Sequence, residues 1–99
     1  MTDNETENIS LPPSNIWQHI SKIAITEDKP IMLDYWVDSL EKKVLIGVRE
    51  NDEKLLVKNA EEYTSPIAKI FKVDSVYIIC TENSIYITSS GIDKRRISS

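Results

Sequence analysis

The 99-residue chain contains only two glycines, one histidine and one cysteine, and these shortages exclude several kinds of functional site. A phosphate-binding loop needs several glycines within a short span, and a structural zinc site needs four cysteine or histidine ligands. A disulfide within the chain needs a second cysteine. The composition therefore excludes a glycine-rich phosphate loop, a cysteine–histidine zinc cluster and a disulfide framework.

An excess of positive charge is also missing. The chain has 12 basic and 16 acidic residues and a formal net charge of −4, whereas proteins that bind nucleic acid without sequence preference attract phosphate through a positive potential. The composition therefore disfavours nucleic acid as the partner. Charge is unevenly placed, because the first fourteen residues carry acidic groups and no cation, while Lys94, Arg95 and Arg96 lie in the last six.

Long hydrophobic runs are absent as well. No apolar run approaches the roughly 18 residues that a membrane-spanning helix needs, and the opening MTDNETENIS has neither a cationic start nor an apolar stretch. We therefore expect a soluble protein with no membrane contact and no secretion.

The length allows one domain between two polar ends. Residues 1–13 are acidic and end in Leu-Pro-Pro, which predicts a flexible or extended arm. Residues 14–92 form the predicted domain, and residues 93–99 form a basic tail. In that tail Arg95-Arg96-Ile97-Ser98 fits the pattern of basophilic kinase sites, so Ser98 is a candidate for phosphorylation.

The domain begins with an amphipathic pattern. Ser14 or Asn15 offers a side-chain oxygen to cap a helix, with Gln18 at the position that a capping box requires. Apolar residues then recur at helical spacing, at Ile16, Trp17, Ile20, Ile23 and Ala24. This pattern predicts one helix of about ten residues that packs on a larger element.

The rest of the domain is typical of strands joined by short turns. The predicted strands are IMLDYWVD, KVLIGVRE, KLLVK, IAKIFKV, VYIIC and SIYIT, and VYIIC is apolar on both faces, which favours a central position. We therefore predict an α+β fold with one N-terminal helix followed by a five- or six-stranded antiparallel meander. The meander either stays open or closes as a small barrel of the SH3 or Sm-like kind.

Catalytic chemistry has few candidates. His19 and Cys80 provide the only imidazole and the only thiol, and Cys80 ends a strongly apolar strand, where cysteine usually behaves as a small hydrophobic residue. His19 lies opposite most of the apolar stripe of the helix and is interpreted as a solvated surface residue. We expect a protein that is not an enzyme and that uses no cofactor or metal.

The most specific candidate site surrounds a tryptophan. If IMLDYWVD is a strand, alternate residues Met32, Asp34, Trp36 and Asp38 share one face opposite an aliphatic face. An exposed indole and thioether among charges are typical anchors of protein interfaces, which makes these four residues the predicted partner-binding site. The alternative is that the helix packs over this face and the indole is part of the core.

Four segments carry a resemblance to a known group of proteins. KPIMLDYW, GVRENDEKLLVK, EEYTSP and TENSIYI occur in this order, and the region from Pro30 to Thr88 resembles small uncharacterised proteins encoded by giant nucleocytoplasmic DNA viruses. The resemblance implies a location in the infected-cell cytoplasm or in the virion, where small proteins serve as capsid components or adaptors. It implies no activity, cofactor or catalytic residue.

These observations favour a non-catalytic protein–protein interaction or virion structural module. Its partner is expected to be another protein, either a capsid protein or a second copy paired through strand edges. The alternative is a small barrel that binds single-stranded nucleic acid. In that case bases would stack on Tyr77, Tyr86 or Trp36, and phosphates would meet Lys69, Lys72 and the basic tail.

Overall fold

The computed structural model describes residues 11–97, which form an α+β domain of two helices and seven strands. The candidate phosphorylation site Ser98 and the first ten residues of the predicted arm lie outside the described residues. In chain order the elements are α1 (Ser14–Glu27), β1 (Ile31–Met32), α2 (Trp36–Leu40), β2 (Leu45–Val48), β3 (Lys54–Val57), β4 (Ile67–Val73), β5 (Val76–Thr81), β6 (Ile85–Ser89) and β7 (Asp93–Arg96).

Helix α1 confirms the predicted N-terminal helix but is longer and starts without the predicted cap. Pro13 occupies the capping position, and no side chain caps the first turn. The Pro13 carbonyl accepts a hydrogen bond from the Ile16 N–H at 3.0 Å, while the Asn15 side chain donates to Asp74. The helix ends at Glu27 and is capped by Asp28, which has a left-handed backbone and donates its N–H to the carbonyl of Ala24.

The strands form two mixed sheets, so the prediction of a purely antiparallel meander is wrong. The four-stranded sheet has the order β1-β6-β5-β4, with β1 parallel to β6 and the other pairs antiparallel. The three-stranded sheet has the order β3-β2-β7, with β7 parallel to β2. No closed barrel is formed by the strands between residues 11 and 97.

Strand β5 lies inside the four-stranded sheet and faces a hydrophobic cluster on each side, which confirms the prediction for VYIIC. Ile78 and Cys80 belong to the first core cluster, beneath α1, and Ile79 belongs to the second, between the two sheets. Alternate residues of a strand point to opposite faces, so a strand covered on both faces must be apolar throughout. The first core cluster is Ile16, Ile20, Trp36, Val76, Ile78, Cys80, Ile85 and Ile87, and the second is Tyr35, Val44, Ile46, Leu56, Ile79 and Ile92.

Two segments differ from the predicted strand pattern. The segment IMLDYWVD contains only the two-residue β1, followed by a turn and by α2. The predicted basic tail contributes β7, because residues 93–96 pair with β2 along four residue positions. The domain therefore extends past residue 92. The side chains of β7 are all charged and exposed, so the sequence has no apolar pattern there that would predict a strand.

Candidate functional site

The four residues predicted to share one partner-binding face are separated in the structure. Met32 is half-buried in β1, and Asp34 is exposed in the turn that follows. Trp36 is 5% exposed and belongs to the first core cluster, together with Ile16 and Ile20 of α1. The prediction of an exposed Trp36 is therefore wrong, and the alternative that α1 covers a core indole is confirmed.

The short helix α2 is the reason for this separation. The Trp36 N–H donates to the carbonyl of Leu33 at 3.1 Å, and the buried Ser39 hydroxyl donates to the carbonyl of Trp36 at 2.6 Å. Ser39 also accepts a hydrogen bond from the N–H of Ser89 at 2.9 Å, which fixes α2 against β6. Helical spacing replaces strand alternation here, so Asp38 does not share a face with Trp36 and instead forms an ion pair with Lys58 at 3.3 Å.

The two candidate catalytic residues, Cys80 and His19, lie in different environments, one buried and one exposed. Cys80 is fully buried in β5, and desolvation by burial raises the pKa of its thiol. His19 is exposed on α1. A thiol that is protonated and inaccessible is a poor nucleophile. Among residues 11–97, no group of three or more histidine, cysteine or carboxylate side chains is arranged to hold a metal ion.

The aromatic residues considered for base stacking are not free on the surface. Tyr77 and Tyr86 are half-buried and pack against the second core cluster. The ring of Tyr86 meets that of Tyr35 edge to face, with 5.3 Å between centroids. Burial raises the pKa of both Tyr35 and Tyr86. These contacts bury part of Tyr77 and of Tyr86 and reduce the ring area that a stacked base could cover.

The most exposed regular element of the larger sheet is its edge strand β4. It is seven residues long and pairs with β5 on one side, and on its other side its backbone N–H and C=O groups have no neighbouring strand among residues 11–97. All five residues between its two ends are exposed. A shift of register between Ile67 and Lys69 interrupts the pairing near the start of the strand.

Strand β4 also presents one exposed apolar side chain on each face. Phe71 lies opposite Ile78, on the face that α1 partly covers, and is 39% exposed. Ile70 lies opposite Ile79, on the other face, and is 38% exposed. Lys69 shares a face with Phe71, because strand residues two apart point the same way. By the same alternation, Lys72 accompanies Ile70.

Helix α1 holds β4 in place through polar contacts near both ends. Lys69 forms an ion pair with Glu27 at 2.8 Å, and the Asn15 amide donates to the Asp74 carboxylate at 3.1 Å. The hydrogen bond from Lys69 lowers the pKa of Glu27, and the same contact raises the pKa of Lys69. These contacts, with Val73 packed on the first core cluster, align the edge strand beside the helix.

Sequence reasoning identified IAKIFKV as a strand but did not identify it as an edge. The available signal was the pair of lysines around Ile70 and Phe71, because edge strands commonly carry lysine on otherwise apolar surfaces. The same two lysines were assigned instead to the nucleic-acid alternative. That alternative and the partner-binding role of Met32, Asp34 and Asp38 stay predictions.

Comparisons with known proteins give no match to any family model, curated protein or solved structure. The resemblance to proteins of giant DNA viruses therefore stays a prediction. No helix within residues 11–97 has the length and hydrophobicity required to span a bilayer.

Proposed function

We propose that this protein is a non-catalytic interaction module that binds an extended segment of another protein along the open edge of β4. In this mode, called strand addition, the partner segment continues the sheet through backbone hydrogen bonds. The observation that carries the proposal is the seven-residue edge strand, exposed over its central five residues, paired with β5 along one side and joined to α1 by the Lys69–Glu27 ion pair.

The length of β4 supports this mode. Strand addition needs a run of backbone groups long enough to form several hydrogen bonds, and seven residues exceed the usual strand length of about five or six. Strands β3 and β7, the two edges of the smaller sheet, have four residues each, and those of β7 are all charged and exposed. Short, charged edges are the kind that proteins use to discourage pairing. Strand β4 also has two lysines and a register shift, but its greater length and its exposed Ile70 and Phe71 make it the better site.

The side chains of β4 indicate the chemistry of the partner. An added strand places its side chains beside Ile70 and Lys72 on one face and beside Phe71 and Lys69 on the other. A segment that carries an apolar residue and an acidic residue on each face complements both pairs. A second copy of this chain is less favourable, because it would bring its own lysines to the same junction.

The resemblance to viral proteins supports a setting for this contact. A partner in the infected-cell cytoplasm or in the virion, such as a capsid protein, is consistent with a small module that has one open strand edge. The proposed contact requires no bound cofactor. The affinity of the partner segment depends on the backbone of β4 and on the exposed side chains of Ile70 and Phe71.

The test uses capture from the native source with three forms of the full chain as bait. We expect the wild-type chain to retain a partner. The double variant Ile70→Asp/Phe71→Asp should retain at least tenfold less of that partner, because each substitution puts a charge where an apolar contact forms. The double variant Val37→Asp/Leu40→Asp is the matched control. It makes the same chemical change at α2, where Val37 is 46% exposed and Leu40 is 45% exposed.

Hydrogen exchange on the captured complex then identifies the contact. Strand addition predicts slower exchange of β4 amides in the complex than in the free protein, with α2 unchanged. Capture that survives the β4 variant, or that fails only in the α2 control, contradicts the proposal. Retention of nucleic acid that decreases steeply with salt also contradicts it and favours the nucleic-acid alternative.

A further inference from the structure

A cavity of about 290 Å³ lies on the face of the three-stranded sheet that points away from the second core cluster. Leu55 and Val57 of β3 and Ile97, just after β7, supply its apolar wall. Arg49, at the end of β2, and Tyr63, in the connection between β3 and β4, line the same cavity. It therefore combines a hydrocarbon surface with one guanidinium and one phenol.

Gly47 makes the shape of this cavity possible. A Cβ atom at this position would lie 2.7 Å from Cδ1 of Ile97 and 3.1 Å from Cγ2 of Val57, closer than ordinary van der Waals contact. Ile97 is anchored by a 2.9 Å hydrogen bond from its N–H to the carbonyl of Val48. The absence of a side chain at Gly47 thus lets Ile97 lie over the centre of the sheet and form part of the wall.

The charged group that lines the cavity is a guanidinium with one carboxylate partner. Among residues 11–97, Arg49 is the one charged residue that lines the cavity, and no carboxylate lines it. Arg49 donates from Nη1 to Oε1 of Glu53 at 2.8 Å, an ion pair that holds the guanidinium in position. The Nε and Nη2 atoms of Arg49 donate to no other protein atom within residues 11–97, so part of the guanidinium is available to a ligand.

From this arrangement we infer that the cavity binds a small carboxylic acid with an aryl or branched alkyl body. Arginine recognises carboxylates through charge-assisted hydrogen bonds, and the apolar wall offers a contact surface to the body of the ligand. A dry cavity of about 150 Å³ can hold benzene, so this cavity has room for a ring and a short acidic chain. The site is separate from β4, and its ligand does not depend on the proposed strand addition.

The experiment is an amide NMR titration of the full-length chain with two probes, 4-phenylbutyrate and 4-phenylbutanol. The probes share the same apolar body and differ in the charged head group. We expect both to shift the amide signals of Gly47, Val57 and Ile97, and the acid to bind at least tenfold more tightly at low salt. A tenfold difference corresponds to the strength of one charge-assisted hydrogen bond.

Three variants assign the effect to the cavity. Arg49→Gln is expected to reduce the affinity for the acid to that for the alcohol, whereas Lys94→Gln, which removes a positive charge from the other face of β7, leaves both affinities unchanged. Gly47→Val displaces Ile97 and is expected to weaken both probes. Thermal unfolding by circular dichroism verifies that each variant is folded before its titration is interpreted.

The inference is overturned by any of three results. Equal affinities for acid and alcohol would remove the role of the guanidinium. Shifts confined to β4 or α1 would place the binding elsewhere. Binding of a peptide with a carboxyl-terminal phenylalanine, without binding of the free acid, would show that the cavity serves a partner chain.

Discussion

Replacement of Trp36 by alanine is expected to destabilise the fold, and the size of the effect follows from burial. The indole is 5% exposed and contacts α1 residues in the first core cluster. Burying an aromatic side chain removes about 200 Å² from water, which contributes about 5 kcal/mol at 25 cal/mol per Å². A domain of this size has a total stability of only about 5–15 kcal/mol, so the loss is easily measured.

One feature of Trp36 reduces that cost. Its Nε1–H is buried and has no hydrogen-bond partner among the described residues. A buried donor without a partner lowers the free energy of unfolding by about 1–3 kcal/mol, so a variant that lacks this donor regains about that amount. We therefore expect Trp36→Ala to lower the free energy of unfolding by about 3 kcal/mol, near the low end of the usual range for large aromatic truncations.

Trp36→Phe separates the two contributions. Phenylalanine keeps most of the apolar area and lacks the unpaired donor, so we expect its stability to lie within about 1 kcal/mol of wild type. Urea unfolding followed by far-ultraviolet circular dichroism measures both variants. A loss below about 1 kcal/mol for Trp36→Ala would refute the assignment of the indole to the core. A loss above about 2 kcal/mol for Trp36→Phe would refute the unpaired donor, because a donor with a partner would cost a hydrogen bond when removed.

Three further outcomes follow from the described contacts. Ser39→Ala leaves the N–H of Ser89 without its acceptor, and we expect the free energy of unfolding to fall by about 1–3 kcal/mol in urea titrations. Burial raises the pKa of Tyr35 from 10.0 to about 12. The folded state therefore retains this phenolic proton where the unfolded state releases it, and the stabilisation is lost as the pH rises from about 10 to 12. Cys80 is buried with a raised pKa, so we expect a thiol reagent to modify it only after unfolding.

Each of these outcomes has a matched control. Ser21→Ala changes an exposed serine of α1 and should leave stability unchanged, and a similar loss in both serine variants would contradict the role of Ser39. Tyr35→Phe should lose less stability than wild type between pH 10 and 12, and parallel pH profiles would contradict the assignment. Ala68→Cys places an exposed thiol on β4 and should react at once, whereas equally fast reaction of Cys80 would contradict its burial.

The sequence alone determined the elements whose hydrophobic pattern is continuous. Helix α1 and the strands that correspond to KLLVK, IAKIFKV, VYIIC and SIYIT were predicted because each pattern repeats with one period over several residues. The central position of β5 also followed from its residues, since a strand that is apolar on both faces must be covered on both. The α+β class followed from the order of these elements.

Only the tertiary structure decided the partners of the short or charged segments. IMLDYWVD has strand alternation, yet the hydrogen bonds of Ser39 to Trp36 and Ser89 fold its second half into α2 and place the indole beneath α1. The charged residues 93–96 have no apolar pattern, and they form β7 because β2 offers them a free edge. Both depend on contacts between residues about 50 positions apart, which a local pattern does not contain. For the same reason, the sequence predicted β4 as a strand, whereas its edge position followed from the pairing of its neighbours.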